Sequence, residues 1–195
     1  QQLDGLVFGE DPQRGYVAGQ VFYHPELRFQ FPVPAGWTVN NTASQVQVFT
    51  EQQDAVILLS IAAETTPAAA ADAFISGTGA AVVSSGAVTV NGLAAHRVLC
   101  DVAVEGGVLR ALSYFIRKDT AVYGFLGYTE LSAFDGRLGT FEQSMKGFRT
   151  LTDSARINVK PDRVALRRVS RGGTLRQALL DLGVLQEGLE EHAVM

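Results

Sequence analysis

Residues 22–37 read FYHPELRFQFPVPAGW, and the fold of the chain turns on this stretch. Leu27, Phe29, Phe31 and Val33 are apolar at every second position, the period of a strand with one buried face rather than of a helix. Pro34-Ala35-Gly36-Trp37 then reads as a turn, proline presetting φ and glycine free to take a positive one. His24 precedes Pro25, so it is expected to shape the way into the strand rather than to serve as a ligand.

Working outward, the alternation resumes at Trp37 and Val39 and stops at Asn40-Asn41-Thr42, which is formally a glycosylation acceptor. Val46 to Phe49 and Ala55 to Ala62 read as two further strands joined by the polar residues 51–54, a hairpin. A helix follows: Thr66 suits the cap and Pro67 the first helical position. Ala70, Ala73, Phe74 and Gly77 fall on one face, and Gly77 is expected to end it.

Strands are then expected at Ala87–Val90, Leu93–Val104, Val108–Arg117 and Thr120–Tyr128, with turns at Asn91-Gly92 and Gly106-Gly107. Residues 109–116 (LRALSYFI) and 121–128 (AVYGFLGY) are apolar on both faces, which places them at the centre of a sheet covered on both sides. Phe134, Leu138, Phe141, Met145 and Phe148 form a stripe at alternating spacings of four and three, a second helix. Ser132 is the expected cap and Gly147 the expected end. Gly136 and Gly139 each cost about 1 kcal/mol relative to alanine, so the first turn is expected to be irregular. The order predicts an α+β fold, an antiparallel sheet layered with helices, over residues 21–151.

The chain has 195 residues, 47% hydrophobic and 18% charged, enough to bury a sizeable core. No run of eighteen apolar residues occurs, so no membrane-crossing helix is expected. The net charge of −4 is unevenly spread. Residues 1–150 carry 9 basic and 14 acidic side chains, whereas 151–195 carry 7 and 6. This shift makes 152–162 read as a linker and 163–195 as a small separate unit, while residues 1–20 are expected to be a lead-in from an upstream domain. In that unit VALRRVSRGGTLRQALLDLG reads as a short strand, a glycine turn, Thr174 as cap and a helix presenting Leu175, Ala178, Leu179 and Leu182. A further helix opens near Gln186. The chain starts without an initiator methionine and ends within this helical pattern, so both ends are expected to be cut from a longer protein.

Motifs for chemistry are sparse. His24, His96 and His192 are far apart and none lies in an HExxH pattern, so no metal ligand or catalytic residue is expected in these residues. Cys100 shares a strand face with Val98, Val102 and Val104, which predicts a buried, inert thiol. There is no GxSxG elbow, and the glycine pairs match neither a P-loop nor a dinucleotide fingerprint. The candidate partner-binding residues are Arg163, Arg167, Arg168, Arg171 and Arg176. The acidic total argues against nucleic acid, leaving a solvated face or a surface that docks on the acidic first domain.

Gly5, Gly9, Asp11, Pro12 and Gly15, followed by Phe22, His24, Pro25, Leu27, Phe29, Phe31, Pro34, Gly36 and Trp37, carry a resemblance. They resemble the segment after the catalytic domain in bacterial envelope zinc metallopeptidases of the HtpX/BepA kind. The resemblance implies an accessory, non-catalytic C-terminal region in the periplasm or cell envelope that positions protein substrates or envelope partners. The zinc and its HExxH helix would lie upstream of Gln1, with no cofactor in this chain. Phe29 to Phe148 is similar to the PsbP-like α/β/α sandwich, commonly a binding module. VSRGGTLRQALLDLG resembles a truncated LysM half, a module associated with glycan binding, but has Gly173 where that family has aspartate. The alternative reading is a self-standing PsbP-like module with no protease attached.

Overall fold

Phe29 and Phe31, the centre of the opening stretch, are 2% and 1% exposed. The computed structural model describes residues 11–161, 163, 172 and 174–181. Residues 12–160 form one compact unit, and residues 1–11 with 161–195 form a second.

The first unit opens with strands β1 (Tyr16–Ala18), β2 (Val21–His24) and β3 (Phe29–Pro32). They form an antiparallel meander, with Phe22 opposite Phe31 and His24 opposite Phe29. Strands β4 (Thr38–Asn41), β5 (Gln45–Phe49) and β6 (Ala55–Ile61) follow, then helix α1 (Pro67–Thr78). Four long strands come next: β7 (Ala81–Val90), β8 (Leu93–Val104), β9 (Gly107–Lys118) and β10 (Ala121–Glu130). Helix α2 (Phe134–Lys146), β11 (Arg149–Thr150) and the single turn α3 (Ser154–Ile157) complete the unit. In the second unit the described helix is α4 (Leu175–Asp181).

The strands make two antiparallel sheets, ordered β1-β2-β3-β11 and β4-β5-β6-β10-β9-β8-β7. The larger sheet separates two apolar layers. Leu112, Tyr114 and Ile116 of β9 face the small sheet and α2, together with Phe22, Phe29, Phe31, Phe125, Phe141 and Phe148. Ala111 and Phe115, on the opposite face of the same strand, meet Ala70 and Ala71 of α1. Both faces are covered, and β9 and β10 occupy the centre as their two-sided apolarity requires. Each fully buried phenylalanine contributes roughly 1.5–3 kcal/mol, and the aromatic cluster is tight: Phe29 and Phe148 centroids are 5.3 Å apart, Phe31 and Phe125 also 5.3 Å.

Local signals explain the ends of the elements. Thr66 Oγ1 accepts the Ala69 N–H at 3.2 Å, with Pro67 in the first turn. The helix runs past Gly77, expected as its end, to Gly79, whose φ of 63° makes the left-handed cap. Its sheet-facing side is Ala70, Ala71, Phe74 and Ile75 rather than Ala70, Ala73, Phe74 and Gly77, because the helix is turned slightly so that Ala71 and Ile75 come beneath it and Ala73 is exposed. Asn91 and Gly92 have φ of 48° and 82°, the two-residue hairpin turn expected from their sequence.

Four further expectations shift. Leu27 lies in a turn ahead of β3: Arg28 has φ 55° and donates its N–H to Pro25 O. Ser132 does not cap α2. It sits in a 3-10 turn, Leu131–Ala133, that leads into the helix, which begins without a side-chain cap. The strand expected at Ala87–Val90 begins instead at Ala81, because β8 is long enough to pair with residues 81–86 as well. Residues 12–20, read as lead-in, supply β1 and a 3-10 turn at Pro12–Arg14. Gln13 Nε2 donates to Ile157 O and Val159 O, fastening this segment to the end of α3 and the residues just after it.

Candidate functional site

Three exposed apolar side chains of the first unit, Val104, Val108 and Leu131, gather where the β8–β9 hairpin outruns its neighbour, while Val17, Ile61, Val82 and Val83 are exposed elsewhere. β7 pairs with β8 only as far as Asp101, while β8 and β9 continue pairing to Val104 and Gly107. The hairpin therefore projects beyond the sheet. Its turn is Glu105-Gly106, with Gly106 at φ 92°. Between the hairpin and the junction of β10 with α2 lies an open groove of 630 Å³. Val104, Val108 and Leu131 line it and are 43%, 40% and 41% exposed. Glu105, Glu130 and Ser132 stand on the same groove, so its lining mixes apolar and polar groups and its charge is negative.

Next to the groove, an ion pair ties β8 to β9. Arg110 Nε and Nη2 donate to Asp101 Oδ1 and Oδ2 at 2.7 and 2.9 Å, a two-pronged bridge across β8 and β9. The Arg110 hydrogen bonds hold the Asp101 carboxyl below the usual carboxylate range. The same guanidinium lies 5.9 Å from the Phe134 ring at the start of α2.

A second concavity, of 80 Å³, lies beside His24 and is lined by Phe29, Leu59, Ile61 and Tyr123 among others. His24 Nδ1 accepts the Leu27 N–H at 3.2 Å, so the neutral ring carries its proton on Nε2. Its ring packs on Phe29 at 5.0 Å. Burial lowers its pKa below 6.5, against the opposing pull of Glu26. Lys118 Nζ donates to Leu27 O at 3.1 Å, so both polar ends of this turn are tied down. His24 thus holds the β2–β3 turn.

One side-chain pair went unread in the sequence. Ser85 Oγ and His96 Nε2 are 2.8 Å apart on the exposed side of β7 and β8. The two residues are eleven apart, and only the hairpin register brings them together. Among the described residues no carboxylate bonds the other ring nitrogen, and a serine–histidine pair acts as a nucleophile only when a third group orients the base. Cys100 is wholly buried among Val98, Ala111 and Val122, and burial pushes its thiol pKa up, which leaves it a packing residue.

Of the five candidate arginines, Arg163 and Arg176 are described and both are exposed. Arg167, Arg168 and Arg171 lie outside the described residues, as do His192, Leu182 and the helix expected from Gln186. Thr174 Oγ1 accepts the Gln177 N–H at 3.3 Å, the cap read from the sequence. Among the described residues no group of three His, Cys, Asp or Glu side chains stands close enough to hold a metal ion. No described helix is long and apolar enough to cross a membrane.

With two sheets, a covering helix on each side and aromatic packing in place, the fold can be compared with known structures. It is an α+β sandwich of the PsbP-like type. Cyanobacterial PsbP from Synechocystis superposes with a TM-score of 0.56 at 15% identity, over 67% of this chain and 91% of that one. LpqN of Mycobacterium tuberculosis, involved in cell envelope biogenesis, gives 0.49 at 11% identity over 64% and 83%. The Ran-binding protein Mog1p of Saccharomyces cerevisiae gives 0.47 at 8% over 66% and 93%. No protein-family model matches the sequence, and no curated protein sequence matches it.

Proposed function

We propose that this chain is a non-catalytic binding module. It serves as the accessory C-terminal region of a bacterial envelope zinc metallopeptidase and holds an extended segment of a substrate or partner protein. The groove at the β8–β9 hairpin carries the binding half of this reading, because three apolar side chains about two-fifths exposed converge on one concavity. Clustered apolar exposure with a few charges at its border is the composition of recognition surfaces. An extended peptide would rest apolar side chains on Val104, Val108 and Leu131 and set a lysine or arginine beside Glu105 or Glu130.

The phrase over residues 5–37 supports the protease half. In this reading the HExxH helix and its zinc belong to the domain upstream of Gln1, and the region works in the periplasm or cell envelope. The LysM-like tail would add contact with glycan. A second reading, a self-standing module, draws on the cyanobacterial PsbP chain, 91% of which is spanned by the likeness. The reading frame upstream of Gln1 separates the two: an encoded HExxH helix supports the accessory role, and a frame without one sinks it.

Selection of linear peptides on the full chain tests the binding half. Binders should be apolar with a basic residue and should lose about tenfold or more in affinity when Val108→Asp and Leu131→Asp are combined. Peptides that bind the double variant equally well would place recognition elsewhere.

A further inference from the structure

β7 ends the seven-stranded sheet, and no described strand pairs with its outer side. Its ten residues, AVVSSGAVTV, contain no charge and no proline. Edge strands are ordinarily blunted by lysine, proline, shortness or a covering loop, because unpaired N–H and C=O groups template pairing with another chain. Among the described residues none of these four devices is present, and the one blunting feature is a bulge near the start of the strand. Ser85, Ala87 and Thr89 are exposed, and so are Val82 and Val83.

The hairpin turn fixes which backbone groups face outward. A two-residue turn at Asn91-Gly92 makes Val90 and Leu93 a hydrogen-bonded pair, and hydrogen-bonded pairs then recur at every second residue. Val88, Gly86 and Ser84 therefore bond inward to Ala95, Arg97 and Leu99. The N–H and C=O groups of Ser85, Ala87 and Thr89 point away from the sheet. Beyond Ser84 the register shifts at Val83, a bulge that turns the edge aside.

We propose that a second copy of this chain pairs antiparallel with β7 about a twofold axis at Ala87, joining two seven-stranded sheets into one. Ala87 then faces Ala87 of the second copy, and Ser85 faces Thr89 of the second copy, so three pairs exchange about six backbone hydrogen bonds. Self-complementarity selects this occupant, since the twofold axis sets serine against threonine and alanine against alanine. An uncharged strand set against itself brings no like charges across the axis. The neighbouring charge on β8, Arg97, already stands 3.7 Å from Glu142. Small side chains at 85, 87 and 89 offer no pocket to read a foreign sequence, yet they let an identical strand approach and pair its hydroxyls. The bulge confines pairing to a short segment, so the dimer is weak and forms with rising concentration.

Sedimentation of the full chain over a concentration series tests this directly. The mass should climb from 20.9 kDa towards twice that value. In the same series the amides of Ser85, Ala87 and Thr89 should exchange more slowly, while those of Gly86 and Val88 stay unchanged. Ala87→Pro removes the outward N–H and spares the inner ladder. Ala87→Lys keeps the backbone and opposes two ammonium groups. Each should weaken dimerisation about tenfold or more, and if the proline variant unfolds, the lysine variant decides. A monomer at every concentration, a dimer indifferent to Ala87→Lys, or protection of these amides only by a different added protein would each overturn the proposal.

Discussion

Gly127 on β10 lies directly beneath Phe141 on α2: a Cβ at Gly127 would stand 2.9 Å from Phe141 Cγ and 2.6 Å from Met145 Cε. The missing side chain is what lets α2 settle on the sheet, bringing its stripe of Phe134, Phe141, Met145 and Phe148 to 1% exposure or less. Through α2, the same contact positions Leu131 at the groove. Gly127→Ala should therefore destabilise the unit by about 1–3 kcal/mol, the range for overpacked cores. Urea denaturation measures it, and an unchanged midpoint would show that α2 can slide away without cost.

Asn91 ties the other end of the same helix. Its Nδ2 donates to Lys146 O at 2.7 Å and to Phe148 O at 2.8 Å, closing two carbonyls that the helix end leaves open. Asn91→Ala loses both bonds and puts a Cβ-only side chain at a φ of 48°, a left-handed setting. A loss of about 2 kcal/mol follows. Asn91→Gly removes the strain and keeps the missing bonds, so it should recover only part of that loss in thermal unfolding.

Ser113 reverses the usual sign. It is wholly buried between the sheet and α1, and its Oγ has no hydrogen-bond partner. Ser113→Ala removes an unpaired polar atom and little volume, so stability should rise by about 1 kcal/mol. A fall in the denaturation midpoint would mean that the hydroxyl makes a bond in solution.

His24 predicts a pH dependence. Its folded pKa lies below 6.5, chiefly through burial, so the fold favours the neutral ring and protonation favours the unfolded chain. The stability it contributes is complete above pH 6.5 and is lost as pH falls through the lower folded value. Asp54 and Asp101, whose pKa values are lowered from 3.8, add their losses only at more acid pH. Between about pH 7.5 and pH 5 the decline should therefore report His24. His24→Gln should flatten it in urea titrations at the two pH values, and an equally steep decline in that variant would remove His24 as the cause.

Much of this architecture was legible in the chain. The alternation of Phe29, Phe31 and Val33, the two-sided apolarity of residues 109–116, the turn at Asn91-Gly92 and the stripe on α2 all reflect burial written into local periodicity. What escaped was set by distant partners. The strand expected from Ala87 starts at Ala81: Ser84, Ser85 and Gly86 give little local strand signal, yet the length of β8 recruits them. Leu27 keeps the strand period but is taken into a turn by His24 and Lys118. The groove was invisible because residues 104–109 and 130–132 share no local pattern; only β9 and β10 pairing brings them together. Exposed valines at a glycine hairpin were the one signal available, and such turns usually need no further explanation.

The central claim is that the β8–β9 hairpin groove receives an extended peptide, and a heteronuclear NMR titration of the full chain with a selected peptide tests it most directly. Val104, Val108 and Leu131 should shift together and saturably, with Ile61 at the His24 cleft unmoved. Shifts confined to Ile61 and Tyr123, or none at the groove, would contradict it.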